Sequence, residues 1–461
     1  MNLTSNTKEV NDEKVNMKKS IVKKDDKYFI PLSEVNRIYN IQVDYIKDTN
    51  TVILDSVDRE FKQAHITKNV KIKNKAMFFS KNVEKLKKDE IVTIVPLTDE
   101  QKELIPNDWV KVRTQNGNLG YIQSKYIKDE QIIREAKKEE TKTDEKVSLV
   151  WDYFSEYGTA PNRQGETIKG INVVSPAFFY LEKLGKGNLL ENVGSSGVNY
   201  INWAHNNGYK VWPIVSNNSM KETTSEIMND YELRKKLINQ IIEYVDKYNL
   251  DGVNIDFEHM NEEDKNLFSR FIIELKPRMA KLGKTVSVDV TAPDGAPEWS
   301  LCFDRYTLGK VTDYMMFMAY DQYGSSSPKE GTTAGCDWVE VNISKFLNQE
   351  EVPKEKLVLG IPFYTRLWEE KDGVTTSETV SIKKIDSVLP EYTKRTWNEA
   401  LKQDYVEFEK NGAIYKMWIE DEKSIKEKLN LINQYNLAGG CYWVKDFETE
   451  NIWNIIEKTL K

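Results

Sequence analysis

The chain has 461 residues, is 39% hydrophobic and carries 66 Lys+Arg against 73 Asp+Glu, a net charge of -7. That length exceeds one ordinary domain and leaves room for a sizeable core. An acidic balance without a basic block excludes a nucleic-acid binder, and no run approaches the roughly 18 consecutive apolar residues of a membrane span.

In chain order, residues 1–14 are polar and read as a disordered tail. The opening "MNLTSNTKEVNDEKVNMKK" lacks the apolar centre of a signal peptide. Either the protein stays inside, or the numbered chain begins after a removed signal. Residues 15–62 read as strand, short helix and two strands joined by the turn "KDTN". "YFIPLSEV" and "NTVIL" in this stretch resemble the N-terminal module of the copper amine oxidase-like family. No copper is expected, because the segment has no histidine. Residues 63–129 read as short strands between polar turns, with "QNGN" (Gln115 to Asn118) as a hairpin signal. "WVKVRTQNGNLGYI" resembles a bacterial SH3-like domain, a module that implies either wall binding or plain spacing. Residues 130–145, "EQIIREAKKEETKTDE", read as a charged linker.

From residue 146 to 461 the texture changes to short apolar runs alternating with amphipathic helical segments. The runs are "VSLVWDYF", "GINVVSPAFFY", "KVWPIVS", "GVNIDFE", "TVSVDVTAP", "YMMFMAY", "KLVLGIPFY" and "AGGCYWV". Eight strands alternating with helices predict a parallel barrel. The stretch from about 366 to 436 is too long for one crossover, and its strand-like "GAIYKMWIE" predicts a small insert. The fold class is therefore α/β: a TIM (β/α)8 barrel with a small α+β insertion before the last strand. A small α+β module and an SH3-like β-barrel precede it.

The fourth strand carries the chemistry. Side chains alternate across a strand, so Val253, Ile255 and Phe257 share one face, and Asn254, Asp256 and Glu258 the other. The apolar trio suits the helix-covered outside of a barrel, which turns the polar trio inward. Residues two apart lie roughly 6.5–7 Å apart along a strand, close enough for their carboxyl groups to split their pKa values and leave one protonated near neutral pH. A protonated Glu at the C-terminal end of a barrel strand is placed for general-acid work. A lone acid is more often a solvated surface group, but three inward polar residues on one strand are not explained that way. A metal centre is not expected. His259 lies on the face opposite Glu258, and the calcium-loop glycine and distal Glu are missing. Cys302, Cys336 and Cys441 are too widely spaced for a disulfide framework or a metal-ligand motif. No cofactor is expected.

"DGVNIDFE", Asp251 to Glu258, resembles the signature of glycoside hydrolase family 18, commonly Asp-Gly-x-Asp-x-Asp-x-Glu. "FMAYDQY", "GIPFYTR" and "GGCYWV" resemble further motifs of that family, in order along the chain. The resemblance implies substrate-assisted retaining hydrolysis, an exception to the two-carboxylate scheme. Glu258 then protonates the leaving oxygen while the substrate's own 2-acetamido carbonyl closes on C1. Asp256 orients the acetamido N–H, and Tyr320 donates to the carbonyl oxygen. Asp321 meets sugar hydroxyls from the rim and Trp443 floors the sugar ring. Asn254, Met318, Gln322, Tyr364 and Arg366 are further substrate-binding candidates. Trp151, Tyr153, Phe179, Asn217 and Asn218 are candidates for lining the cleft.

Asn254 departs from the signature, where Asp is usual. Its expected effect is to remove one of two buried negative charges and ease ionisation of Asp256. The same Asn resembles the spore-cortex-lytic branch, N-acetylglucosaminidases acting on peptidoglycan. That branch usually carries LysM repeats, which are absent here. The expected partner is a polysaccharide containing N-acetylglucosamine, with the SH3-like unit as a possible wall binder. Extracytoplasmic action and a monomer are expected. The alternatives are a chitinase or chitooligosaccharide hydrolase and, from another class, a non-catalytic carbohydrate-binding or spore-coat protein. The acid Glu258 argues against the last.

Overall fold

The computed structural model describes residues 7–10, 13–17, 21–32, 41–56, 59–97, 102, 105–134, 145–183 and 186–460. The chain parts into two compact units, Met1–Lys142 and Thr143–Lys461.

In the first unit, Ile41–Ile46 and Thr51–Ser56 form a hairpin that pairs Ile46 with Thr51, so "KDTN" is its loop. Asn50 closes that loop at φ 51°, a conformation Asn tolerates. Val22–Lys24 pairs with Lys27–Phe29. The helix expected between these hairpins falls mostly on residues outside the described ones. A seven-stranded antiparallel sheet follows. Its order is Ile127–Arg134, Phe61–Ile66, Ile91–Ile94, Trp109–Arg113, Leu119–Gln123, Val70–Lys73, Asn82–Leu86. Ile66, Ile72, Leu86, Val92, Val112 and Ile122 form its small core. "QNGN" is the loop between Trp109–Arg113 and Leu119–Gln123, with Gly117 at φ 82° as an Asn-Gly turn requires. Asp55 reaches Arg113 through two 2.7 Å hydrogen bonds, tying the hairpin to the sheet.

Two boundaries move. Thr7–Val10 pairs with Glu13–Asn16, which begins inside the stretch expected to be disordered. The expected linker loses its first residues to the strand Ile127–Arg134, which pairs along Phe61–Ile66 and occupies the sheet edge. Residues 135–144 lie outside the described ones.

In the second unit the eight expected strands are all present. They are β1 (Val147–Asp152), β2 (Val173–Pro176), β3 (Lys210–Val211 with Ile214–Ser216), β4 (Gly252–Asp256), β5 (Thr285–Val290), β6 (Tyr314–Phe317), β7 (Leu357–Pro362) and β8 (Gly439–Trp443). Pro213 has no N–H and divides β3 into two pieces. Trp212 N–H still donates to Val174 on one side, and Pro213 C=O accepts from Asn254 on the other. Parallel pairing therefore runs from β1 through β8 and back to β1. The sheet closes on itself, a TIM-barrel-like fold. β8 meets β1 so closely that a Cβ on Gly439 would lie 1.8 Å from the Val147 carbonyl oxygen, and Gly439 has φ 155°.

Helices cover the outside: α1 (Gly194–Asn206), α2 (Lys221–Asn229), α3 (Tyr231–Lys247), α4 (Lys265–Lys281), α5 (Arg305–Val311), α6 (Cys336–Asn348), α7 (Glu422–Gln434) and α8 (Glu450–Leu460). Two apolar clusters follow from strand alternation. Val150, Val174, Val215, Val253, Ile255, Val288, Met315 and Leu359 face the helices. Leu149, Trp151, Val173, Trp212, Ile214, Met316, Val358 and Cys441 pack together on the opposite face, the barrel interior.

The insert is a five-stranded antiparallel sheet between Tyr364 and Ile419. It was expected to reach residue 436. Helix α7 instead belongs to the barrel wall. Asp421 caps it with a reciprocal Asp421–Ser424 box, and it buries Ile425, Leu429 and Ile432 in the outer core.

Candidate active site

β4 delivers the polar trio as alternation predicts. Val253, Ile255 and Phe257 are fully buried in the outer core. Asn254 is fully buried inside the barrel, and Asp256 and Glu258 are half-buried at its C-terminal end. Both ends of the Asn254 amide are engaged. Its oxygen accepts from Trp151 Nε1 at 2.8 Å, and its nitrogen donates to Ser287 Oγ at 3.1 Å and to Asp289 Oδ1 at 2.6 Å.

Asp289 was not anticipated. It lies on β5, two residues after Ser287, and is 2% exposed. The sequence did hold a signal, since "TVSVDV" alternates as "GVNIDF" does. Position 254 carries no charge, as expected, but β5 supplies a second buried carboxyl, Asp289, whose charge acts on Asp256 in its place. Burial first, and the Asp289 charge second, push the Asp256 pKa up to about 8, against a hydrogen bond with Glu258 that lowers it. Glu258 is raised well above the ordinary range by burial and then by Asp256. Asp289 is likewise raised by burial, with the Asn254 hydrogen bond opposing. Three crowded carboxyl groups cannot all ionise near neutral pH, so the group holds protons there. Among the described residues, the buried Asp256 Oδ1 has no hydrogen-bond partner.

Asn217, just past β3, clamps the backbone of Glu258. Its Oδ1 accepts from Glu258 N–H at 3.0 Å, and its Nδ2 donates to Glu258 C=O at 2.8 Å and to Thr224 Oγ1 at 3.0 Å. Asn217 is fully buried, so it supports the site without lining the cleft. Tyr320 follows β6, half-buried, its ring edge-on to Tyr364 at 6.2 Å. Burial holds its hydroxyl protonated far above neutral pH. Asp321 accepts from Arg366 Nη2 at 3.2 Å and from the Tyr364 hydroxyl, a rim triad. Among the described residues, the buried Arg366 Nε has no partner. Trp443, at the end of β8, is half-buried between Trp151 at 5.9 Å and the exposed Tyr153 at 5.7 Å. Met318 is 6% exposed just beyond β6.

Other candidates land elsewhere. Phe179 is buried on the outer side, stacked on Tyr244 at 5.2 Å, so it does not line the cleft. The pleat places its neighbour Tyr180 among the inward residues instead, donating to Phe154 C=O at 2.5 Å. The Gln322 side-chain oxygen accepts from Gly335 N–H at 3.0 Å and braces a loop. Asn218 is exposed and donates to Glu156 at 2.6 Å. His259 turns away at φ 52° and packs on Trp299 at 4.9 Å. Among the described residues no group of three or more His, Cys, Asp or Glu is placed to hold a metal ion. Among them too, no helix is long and apolar enough to cross a membrane.

The model of Glycosyl hydrolases family 18 matches residues 149–448. The uncharacterized glycosylase YvbX of Bacillus subtilis is 27% identical over 305 residues, covering 63% of this chain and 85% of that protein. The cortical fragment-lytic enzyme of Bacillus anthracis is 23% identical over 255 residues, 53% of this chain and 57% of that one. Among solved structures, a chitinase from Chromobacterium violaceum shares the fold with a TM-score of 0.60. It is 20% identical and covers 68% of this chain and 99% of its own. The chain belongs to glycosyl hydrolases family 18.

Proposed function

We propose, on the premise of that membership, that this protein cleaves β-1,4 bonds next to N-acetylglucosamine in bacterial cell-wall or spore-cortex peptidoglycan, retaining configuration by substrate assistance. The observation that carries the chemistry is the partnerless, buried Asp256 Oδ1 beside a proton-holding Glu258. An orphaned buried acceptor costs about 1–3 kcal/mol, which a donor from the substrate recovers. The N–H of a 2-acetamido group is a donor of that kind.

In this reading Glu258 gives its proton to the leaving oxygen. The acetamido carbonyl closes on C1, with Tyr320 donating to its oxygen and Asp256 holding its N–H. Water then opens the cyclic intermediate, with Glu258 taking back a proton. Asp321, with Tyr364 and Arg366 behind it, meets hydroxyls at the rim. Trp443 lies under the ring, and Met318 is a further contact.

Three features support peptidoglycan over chitin: Asn254 in place of the usual Asp, the likeness to a cortical fragment-lytic enzyme, and the N-terminal unit. That unit we read as a copper amine oxidase-like module and an SH3-like domain, the latter holding the enzyme at wall polymer outside the cytoplasm. The decisive experiment digests purified spore cortex, vegetative peptidoglycan and colloidal chitin in parallel, with mass analysis of the products. Fragments with N-acetylglucosamine at the reducing end are expected from peptidoglycan, and none after chemical de-N-acetylation. Preferential release from chitin would move the substrate. Cleavage of de-N-acetylated glycan would sink the mechanism.

A further inference from the structure

The Asn254 amide has a fixed direction. An indole N–H can only donate, so the Asn254 oxygen must face Trp151. Its NH2 is thereby turned to β5, where both hydrogens are taken, by Ser287 Oγ and by Asp289 Oδ1. Ser287 Oγ in turn donates to the Val253 carbonyl at 3.2 Å, so it is not free to rearrange. Neither N–H of Asn254 is left over for Asp256. That is why one Asp256 oxygen has no partner, although an amide sits two residues away on the same face of the strand.

We infer that Asp289 is the positioning carboxyl of this site: from β5 it replaces the carboxylate that Asn254 lacks, and it holds the Asn254 amide away from Asp256, keeping one Asp256 oxygen open for substrate. The inference deepens the hydrolase reading and rests on it for what that oxygen receives. Positions 254 and 289 are then coupled. At 2.6 Å, two acids would face each other with like charge and would need a shared proton. An acid on one strand therefore calls for an amide on the other, and exchanging the two leaves the site equivalent. With Asn254→Asp and Asp289→Asn combined, the carboxylate on β4 would accept from Trp151 and from the new amide on β5.

The groups facing Asp256 are Glu258 on its own strand, Asp289 from β5 and Tyr180 from beyond β2. Tyr320 and Asp321, beyond β6, face Glu258. Asp289→Asn removes one negative neighbour and keeps the shape, so Asp256 titrates at lower pH. Asn254→Asp adds an acid, so it titrates at higher pH. The double exchange returns it toward the starting value.

The test uses full-length protein labelled with side-chain [13C]carboxyl aspartate, the Asp256 resonance being assigned by its loss in Asp256→Asn. Its NMR titration midpoint is expected to fall by about one pH unit in Asp289→Asn, rise in Asn254→Asp and return in the double variant. The acid limb of kcat/KM on soluble cortex glycan strands should move in the same order. A midpoint unmoved in Asp289→Asn overturns the inference. So does a double variant no closer to wild type than the worse single. Should Asn254→Asp fail to fold, the isosteric Asp289→Asn still decides it. Wild-type protein that cuts no glycan fails the hydrolase reading instead, and the titration still reads the carboxyl coupling.

Discussion

The barrel interior has two unlike sides. From β1, β2, β3, β6, β7 and β8 it is mostly apolar, with Leu149, Val173, Ile214, Met316, Val358 and Cys441 packed together. From β4 and β5 it is polar, with Asn254, Asp256, Ser287 and Asp289. Burying one large apolar side chain contributes about 1.5–3 kcal/mol, whereas a buried carboxyl costs free energy unless it keeps its proton or finds partners. The polar side does both. Both ends of the Asn254 amide are hydrogen-bonded, and the acids hold protons. One side of the barrel is thus built for stability, the other for a reaction at stability's expense, and variants on each side should fail in opposite ways.

The largest effect belongs to Glu258→Gln. The isostere cannot protonate a leaving group, and loss of a general acid removes about 10²–10⁴ of rate. Turnover of cortex glycan should fall by about 10³ or more, while oligosaccharide binding measured by calorimetry persists. A variant retaining most of its kcat would remove Glu258 from the chemistry.

Next comes a contrast of Asp256→Asn with Met316→Ala. Asp256→Asn should lower kcat/KM by about 10²–10³, as loss of one preorganised electrostatic partner does. It should also raise the melting temperature at neutral pH. The sign follows from linkage. The Asp256 pKa is about 8 in the folded chain and about 3.9 unfolded. Between those values the unfolded chain gives up a proton that the folded chain keeps, so stability drains as pH rises from about 4 to about 8. The Asn variant should therefore melt higher than wild type near pH 8 and no higher near pH 4. Met316→Ala, fully buried on the apolar side, should instead lose about 2–5 kcal/mol of stability with activity per folded molecule nearly unchanged. Melting curves across pH, beside kinetics on the same samples, check both. If both variants lost stability equally at every pH, the division between the two sides would collapse.

The same contrast explains what could be read from the chain. β4 was legible because three polar residues interrupt one face of an apolar strand, and period two assigns the face. β5 carries the same alternation at Ser287 and Asp289, yet it counted only as one of eight strands and its inward face was not read. Eight strands and the barrel's helices followed from period and length. Insert and linker limits did not, because α7 and the strand Ile127–Arg134 are fixed by what they pack or pair against rather than by their own composition. Phe179 and Tyr180 were exchanged because the chain leaves β2 before them, and a short irregular link resets which neighbour faces inward.

Asn217 shows the remaining blind spot and gives the smallest expected effect. "VSNNS" reveals an amide after β3, but nothing in it tells that the partner is the backbone of a residue 41 positions on. Its two hydrogen bonds fix where Glu258 starts its side chain. Asn217→Ala takes both of these partners from the half-buried Glu258 backbone, about 1 kcal/mol for each hydrogen bond lost. The clamp acts on position and not on the proton, and misplacement of a reacting group by a fraction of an ångström slows catalysis without changing the chemistry. The expected result is a kcat about tenfold lower, an unchanged KM and an unshifted pH profile. A displaced alkaline limb would mean that Asn217 tunes the Glu258 proton itself. A wild-type kcat would mean that β4 holds Glu258 without help from β3.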